Sequence, residues 1–287
     1  LLMRERAAEV VQGIMIAQHA MGAREVLIGI ENNKPQAIAA MQAGKHVVTD
    51  KPMAADLAAA DAMLATSRSC DRLLTVFHNR RWDGDFLTVR RILAEGWLGR
   101  PFCFELSWGG YGPPRGWRQV ASRGGGRFVD LGAHLIDQAL LLVDSSVARV
   151  YARFRTDLLD NDVDDHAHCI ISFADGTDVH VSTSSLARRP RPRWYIMGTA
   201  GTLVKTGLDP QERATVGGDI DAARERPEDY ARLELSAGGQ PATLTVRTEP
   251  GRWRSFYENV AAALRGQAAL AVTPHSARAV MAVIEAA

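Results

Sequence analysis

The chain has 287 residues, 46% hydrophobic and 23% charged, enough for one large domain or two smaller ones with a sizeable core. Lys and Arg number 34 against 33 Asp and Glu, a formal net charge of +1, so no global field draws the protein to nucleic acid or anionic lipid. Apolar runs such as Leu140–Val143 are far too short to cross a bilayer, no signal-peptide layout opens the sequence, and Cys70, Cys103 and Cys169 have no metal-ligand or redox spacing, which predicts a cytoplasmic protein without a disulfide framework.

Residues 5–21 place Ala7, Val10, Val11, Ile14, Met15 and Gln18 at helical spacing, with Gly22 as the stop. The opening on Leu1 and Leu2, directly into that pattern, predicts a chain that begins inside a domain. Residues 26–30 form a short apolar run of the buried-strand kind, and Pro35 starts a helix that ends at Gly44. A strand over 46–49, a helix capped by Asp56 and running to Ser67, and a strand over 73–77 follow. This βαβα alternation predicts a parallel, doubly wound sheet.

Texture changes after Phe77. A helix is expected over 86–95 with Asp85 as its cap, and then Phe102, Phe104, Leu106 and Trp108 alternate with Cys103, Glu105 and Ser107, one covered face against one wet face. A helix over 128–143 precedes strands near 147–154, 166–173, 177–184, 194–197, 202–205 and 242–246, separated by turns such as Asp175-Gly176 and Ala200-Gly201, which is how an antiparallel sheet reads. Arg188, Arg189, Arg191 and Arg193, set among prolines, read as a solvated loop, and residues 207–241 as a long surface excursion. Helices near 253–265 and 274–286 close the chain.

Three stretches are candidates for chemistry. Asp50-Lys51-Pro52 sits at the carboxyl end of a parallel strand, where ligands bind in open α/β sheets, and Pro52 fixes the turn. Trp117-Arg118 lies in a glycine-rich loop, where Trp117 fits either a substrate wall or a buried loop anchor. Asp130 and His134, four apart on a helix introduced by Gly124-Gly125-Gly126, would share a face with Cβ atoms about 5–6 Å apart, so the carboxylate can orient the imidazole for proton transfer. Alone, that pair equally fits a capped helix start with a half-buried histidine. Asn79 fits either a cleft wall or a capped turn, and His166 and His168 near Asp164 and Asp165 make only a weak metal pattern, so no metal is expected.

Taken together, residues 43–52, ending Val48-Thr49-Asp50-Lys51-Pro52, and the run from Gly124-Gly125-Gly126 through Asp130, His134 and Asp137 resemble the Gfo/Idh/MocA family of NAD(P)-dependent oxidoreductases, a resemblance that covers residues 42–287. Phe77-His78-Asn79-Arg80-Arg81-Trp82-Asp83-Gly84-Asp85-Phe86-Leu87-Thr88-Val89 is most similar to the family's NADP-dependent scyllo-inositol dehydrogenase-like branch, as are Asp209-Pro210-Gln211-Glu212 and Arg226-Pro227-Glu228-Asp229. The resemblance implies an α/β plus α+β fold: an incomplete Rossmann-like parallel sheet over 1–77, then a substrate-binding, catalytic domain over 78–287 with a large open, mostly antiparallel sheet, its last helices packing back on the first domain. It implies NADP or NAD as cofactor, a cyclitol or sugar alcohol as substrate, and a homo-oligomer. Carried over by position, Lys51 and Pro52 lie near the nicotinamide, Lys51, Asp130 and His134 are the catalytic set, and Asn79, Trp117, Arg118 and Asp130 bind substrate. Asp50 stands where the family has glutamate, one methylene longer.

No Gly-x-Gly-x-x-Gly turn precedes Lys51, and the Thr-Pro and nearby histidine that the family has after the strand holding Ile30 are replaced by Glu31-Asn32-Asn33-Lys34-Pro35. Residues 1–41 instead resemble the flavin-domain region of the Rnf electron-transport complex C subunit, which predicts a join near Met41. They contain no cluster-ligating cysteines and no glycine-rich flavin loop, so no flavin or iron–sulfur function follows. The sequence thus leaves open a dehydrogenase, a catalytically silent sugar-binding or regulatory protein on the same fold, and an electron-transfer fragment.

Overall fold

Two sheets organise the computed structural model, which describes residues 29–30, 35–237 and 239–287. The expected helix over 5–21, most of the 26–30 run and residues 31–34 lie outside the described residues. The smaller sheet is parallel, in the order β1 (Gly29–Ile30), β2 (Val47–Thr49), β3 (Leu74–Val76). Helix α1 (Pro35–Gln42) links the first two strands and α2 (Leu57–Ser69) the second and third. Asp56 caps α2 by accepting the Ala59 N–H at 2.7 Å. Every residue of β2 and β3 is buried, as expected of a parallel sheet covered on both faces.

Part of that cover comes from the far end of the sequence. Phe256 and Val260 of α6 (Arg254–Leu264) and Ala277 and Met281 of α7 (Pro274–Ala286) join Met41, Val47, Met63, Leu74 and Val76 in one apolar core. The Thr75 hydroxyl also donates to the Val272 carbonyl at 2.7 Å. Among the described residues no helix is long and apolar enough to cross a membrane.

The larger sheet comprises β4 (Pro101–Gly109), β5 (Val147–Arg155), β6 (His166–Phe173), β7 (Asp178–Ser184), β8 (Trp194–Gly198), β9 (Gly201–Lys205), β10 (Ala231–Ala237) and β11 (Gln240–Val246). Its order is β11-β10-β9-β8-β4-β7-β6-β5, antiparallel at every pair except β4–β7. Strand β6 shows why one face is a core: Ala167, Cys169, Ile171 and Phe173 are buried while the intervening residues are half-exposed. Against the inner face pack α3 (Gly84–Ala94) and α4 (Ala133–Leu142), with Phe86, Phe128, Leu135 and Trp194 in the second apolar core.

Four expectations are corrected. Helix α3 begins at Gly84, not at Phe86, and Asp83 holds the cap position; Asp85 lies inside the first turn, fully buried, where its carboxylate accepts the Trp194 indole N–H at 2.8 Å. Residues 207–241 are not a surface excursion. They contain α5 (Gln211–Val216) and strand β10, whose Ala231 and Leu233 are buried, and Asp209 accepts the Gly84 N–H at 2.6 Å from within the protein. Arg193 is no solvated-loop residue: it is 2% exposed, donates to Gln138 Oε1 at 2.5 Å and lies 3.3 Å from Asp85. Finally, residues 128–132 form a π-helical turn before α4, where a regular helix was expected.

Candidate active site

The turn after β2 brings the first functional group into place. Asp50 Oδ1 accepts the Lys51 main-chain N–H at 2.8 Å, and the Lys51 ammonium crosses to the other sheet's unit, donating to both the carbonyl and Oδ1 of Asp130, 79 residues away. Asp130 Oδ2 in turn accepts Arg118 Nε at 2.9 Å, so the carboxylate lies between two cations. Burial raises the proton affinity of Asp130, but the Lys51 charge and hydrogen bond, helped by Arg118, outweigh it and hold the carboxyl below the usual carboxylate range.

The glycine run places Asp130. A Cβ on Gly125 would stand 2.6 Å from the Arg118 carbonyl oxygen and 2.7 Å from that of Val120, and Gly126 adopts φ +121°, so the loop can fold against the 118–120 backbone only without side chains there. The Gly125 and Gly126 N–H groups donate to Val120 and Arg118 at 3.0 Å each, which brings Arg118 and Asp130 together. Arg118 lies in a 3₁₀ turn over Gly116–Gln119; the indole of its neighbour Trp117 falls outside the described side chains.

His134 is the buried member. Its ring packs at 6.1 Å from Trp108, tilted 30°, and at 6.5 Å edge-on to His78, and its Nδ1 has no hydrogen-bond partner. Burial lowers its proton affinity well below the ordinary histidine value, and the charges of Lys51 and Arg80 lower it further, so the ring is neutral at neutral pH. The expected carboxylate–imidazole contact is not made. Through the wider π turn the Asp130 carboxylate leaves the imidazole and pairs with Lys51 and Arg118.

Lys51, Asn79, Arg118, Asp130 and His134 all line one cleft of about 770 Å³, which also takes in Asp50, Phe77 and Trp108. Asn79 opens the 3₁₀ turn Asn79–Trp82 just beyond β3, so the cleft floor is the carboxyl end of the parallel strands. The sequence reading missed the wall behind. Arg80 stacks over Trp108 at 4.3 Å and over Trp253 at 5.4 Å, and donates to Glu212 Oε2 at 2.6 Å. Arg81 donates to both oxygens of the buried Asp137 at 2.8 and 2.6 Å, to the Ala271 carbonyl at 2.6 Å and to Ser276 Oγ at 2.9 Å. His78, its Nδ1 3.8 Å from Asp137, is pushed down to about 4 chiefly by burial, against the opposing pull of Asp137. The signal for this wall was the resemblance of residues 77–89 and 209–212, which named no roles. His166 and His168 lie on β6, and among the described residues no group of three or more His, Cys, Asp or Glu side chains is placed to hold a metal ion.

Comparison with known proteins gives the family. The family model described as GFO/IDH/MocA C-terminal domain matches residues 86–204, and one described as Nuo51 FMN-binding domain matches residues 1–64. Oxidoreductase YdgJ of Escherichia coli is 36% identical over 261 residues, covering 88% of this chain and 73% of that protein. The scyllo-inositol 2-dehydrogenase (NADP(+)) IolW of Bacillus subtilis is 32% identical, covering 87% and 71% respectively. Among solved structures, oxidoreductase yvaA of Bacillus subtilis superposes with a TM-score of 0.86 at 28% identity over 98% of this chain and 85% of that one. An oxidoreductase of Klebsiella pneumoniae superposes at 0.79 with 33% identity, over 91% of this chain and 73% of that one. The pairing of a small parallel sheet with a large, mostly antiparallel one, and the similarity along most of the length, give the same answer: the chain belongs to the Gfo/Idh/MocA family of oxidoreductases.

Proposed function

We propose that this protein moves a hydride between a secondary alcohol of a cyclitol or sugar and NADP or NAD, with Lys51, Asp130 and His134 as its catalytic set. The observation that carries the reading is the Lys51–Asp130 ion pair, made between the two sheets' units on the rim of the cleft that buried, neutral His134 also lines.

The family uses a nicotinamide dinucleotide, and the strand-end side of the cleft fits its reactive ring: Asp50, Lys51 and Phe77 offer there one hydrogen-bonding carboxylate, one cation and one aromatic face. Lys51 and Pro52 would hold that end. When bound, the nicotinamide supplies the hydride acceptor. The chain's own residues handle the proton. His134, kept neutral by burial and surrounding cations, takes the hydroxyl proton of the alcohol as general base. Lys51 presents its ammonium where alkoxide character develops. Asp130, ionised across the neutral range, anchors Lys51 and accepts a neighbouring substrate hydroxyl, while Asn79, Trp117 and Arg118 border the polyol.

Residues 1–77 serve as the nucleotide-side unit and 78–287 as the substrate-side unit in this reading, in a cytoplasmic homo-oligomer. Oxidation of scyllo- and myo-inositol in the presence of NADP or NAD, followed at 340 nm, tests the reading together with NADPH fluorescence titration. No turnover and no saturable NADPH binding would sink it. Thermal stabilisation by a cyclitol without turnover would instead identify a silent binder.

A further inference from the structure

The carboxylates of the cleft are already engaged, and among the described residues two of its arginines, Arg127 and Arg115, form no ion pair. Asp130 is held by Lys51 and Arg118, Glu212 by Arg80, and Asp50 accepts the Lys51 main-chain N–H. Arg127, two positions after Gly125, lines the same cleft half-buried; among the described residues its guanidinium donates to neutral oxygens, Ser185 Oγ at 2.7 Å and the Gly112 carbonyl at 3.2 Å. The nearby Asp164 carboxylate accepts the Phe128 main-chain N–H at 3.0 Å and makes no direct ion pair with the Arg127 guanidinium. Burial lowers the proton affinity of Arg127, with the charges of Asp130 and Asp164 opposing it. Arg115, exposed and lining the same cleft, adds a second guanidinium. A planar fork fixed by two neutral acceptors and facing a cleft is suited to a carboxylate or phosphate.

We propose that the polyol taken by this cleft carries an anionic group, a carboxylate or a phosphate, which Arg127 and Arg115 receive while its secondary alcohol faces Lys51 and His134. The inference rests on the dehydrogenase reading of the same cleft and names the substrate class for it. A neutral polyol would leave the half-buried Arg127 guanidinium without an ion-pair partner; an anionic one would supply that partner and fix the substrate's direction in the cleft.

Glucose, glucuronate and glucose 6-phosphate, matched except at C6, are compared as substrates with saturating NADP and with NAD. At least one charged sugar is expected to exceed glucose in kcat/KM by about tenfold or more, the scale of a charge-assisted contact. That advantage should shrink with added salt. Preference for glucuronate assigns a carboxylate, and preference for glucose 6-phosphate a phosphate. Arg127→Gln and Arg115→Gln should each reduce the charged-to-neutral ratio, whereas Arg127→Lys, which keeps the charge, should retain most of it. Glucose matching or beating both charged sugars overturns the inference and leaves the dehydrogenase reading standing. So does a rise in the KM for NADP, rather than for sugar, in Arg127→Gln. If none of the three turns over, calorimetric titration of the same sugars separates the two ideas. Charged-sugar binding that Arg127→Gln weakens upholds the ligand class without the reaction, and equal or absent binding of all three overturns it.

Discussion

Replacing Lys51 by Met removes a cation while keeping most of the side-chain volume, and it tests both halves of the site at once. Lys51 and Asp130 are each 12% exposed, so the variant leaves a largely buried carboxylate with Arg118 as its remaining partner. Breaking a fully buried pair costs about 3–5 kcal/mol; with Arg118 still bound and one side open to the cleft, about 1–2 kcal/mol is expected here. The sign with pH follows from Asp130, whose folded-state carboxyl lies below its unfolded value. Its stabilising contribution is present above the unfolded pKa of about 3.9 and is lost as pH falls through the lower folded value. Lys51→Met shrinks that contribution, so urea denaturation should show the two proteins furthest apart near neutral pH and converging in acid. Turnover should fall by about 100-fold or more, because the preorganised donor at the developing alkoxide is gone. A variant within about threefold of the parent in kcat/KM, or an unfolding difference that does not change with pH, would refute the reasoning.

Three further outcomes follow from the same geometry. Because burial and neighbouring cations hold His134 well below the ordinary histidine value, alcohol oxidation should show no inflection near pH 6.5; a titration centred there would contradict the neutral-base assignment. Arg81→Met strands the buried Asp137 and releases Ala271 and Ser276, so chemical denaturation should register a loss of about 3–5 kcal/mol, and a loss under about 1 kcal/mol would show that the pair is not structural. Gly125→Ala forces a methyl against two carbonyl oxygens at 2.6 and 2.7 Å, which should displace Arg118 from Asp130 and raise the KM for polyol; crystallography showing an unchanged loop would refute this.

How legible these features were depends on how local their causes are. Strand β6 is readable to the residue because its burial alternates with period 2 and a turn follows at Asp175-Gly176. Lys51 and Asp130 were legible as motifs, but not as a pair, since the contact between them is set by how two sheets dock. The expected Asp130–His134 contact assumed a 3.6-residue turn, and the π turn at 128–132 removed it. Arg193 and Asp85 looked like surface and cap because each is charged; they are buried because each meets the other and Gln138 or Trp194 from elsewhere in the chain. Strand β10 was hidden in a stretch rich in turn-forming residues, and only its pairing with β9 and β11 makes it a strand.

The helices over 254–264 and 274–286 have a consequence for how this protein is made. They complete the core of the small parallel sheet, although all eight strands of the large sheet lie between them and that sheet in sequence. On the ribosome the small sheet therefore emerges first and is finished last: its apolar face waits, uncovered, while the larger sheet is synthesised. The later-made unit is free to fold before the earlier one is sealed, and the cleft between them takes shape only once Phe256, Val260 and Met281 have been added.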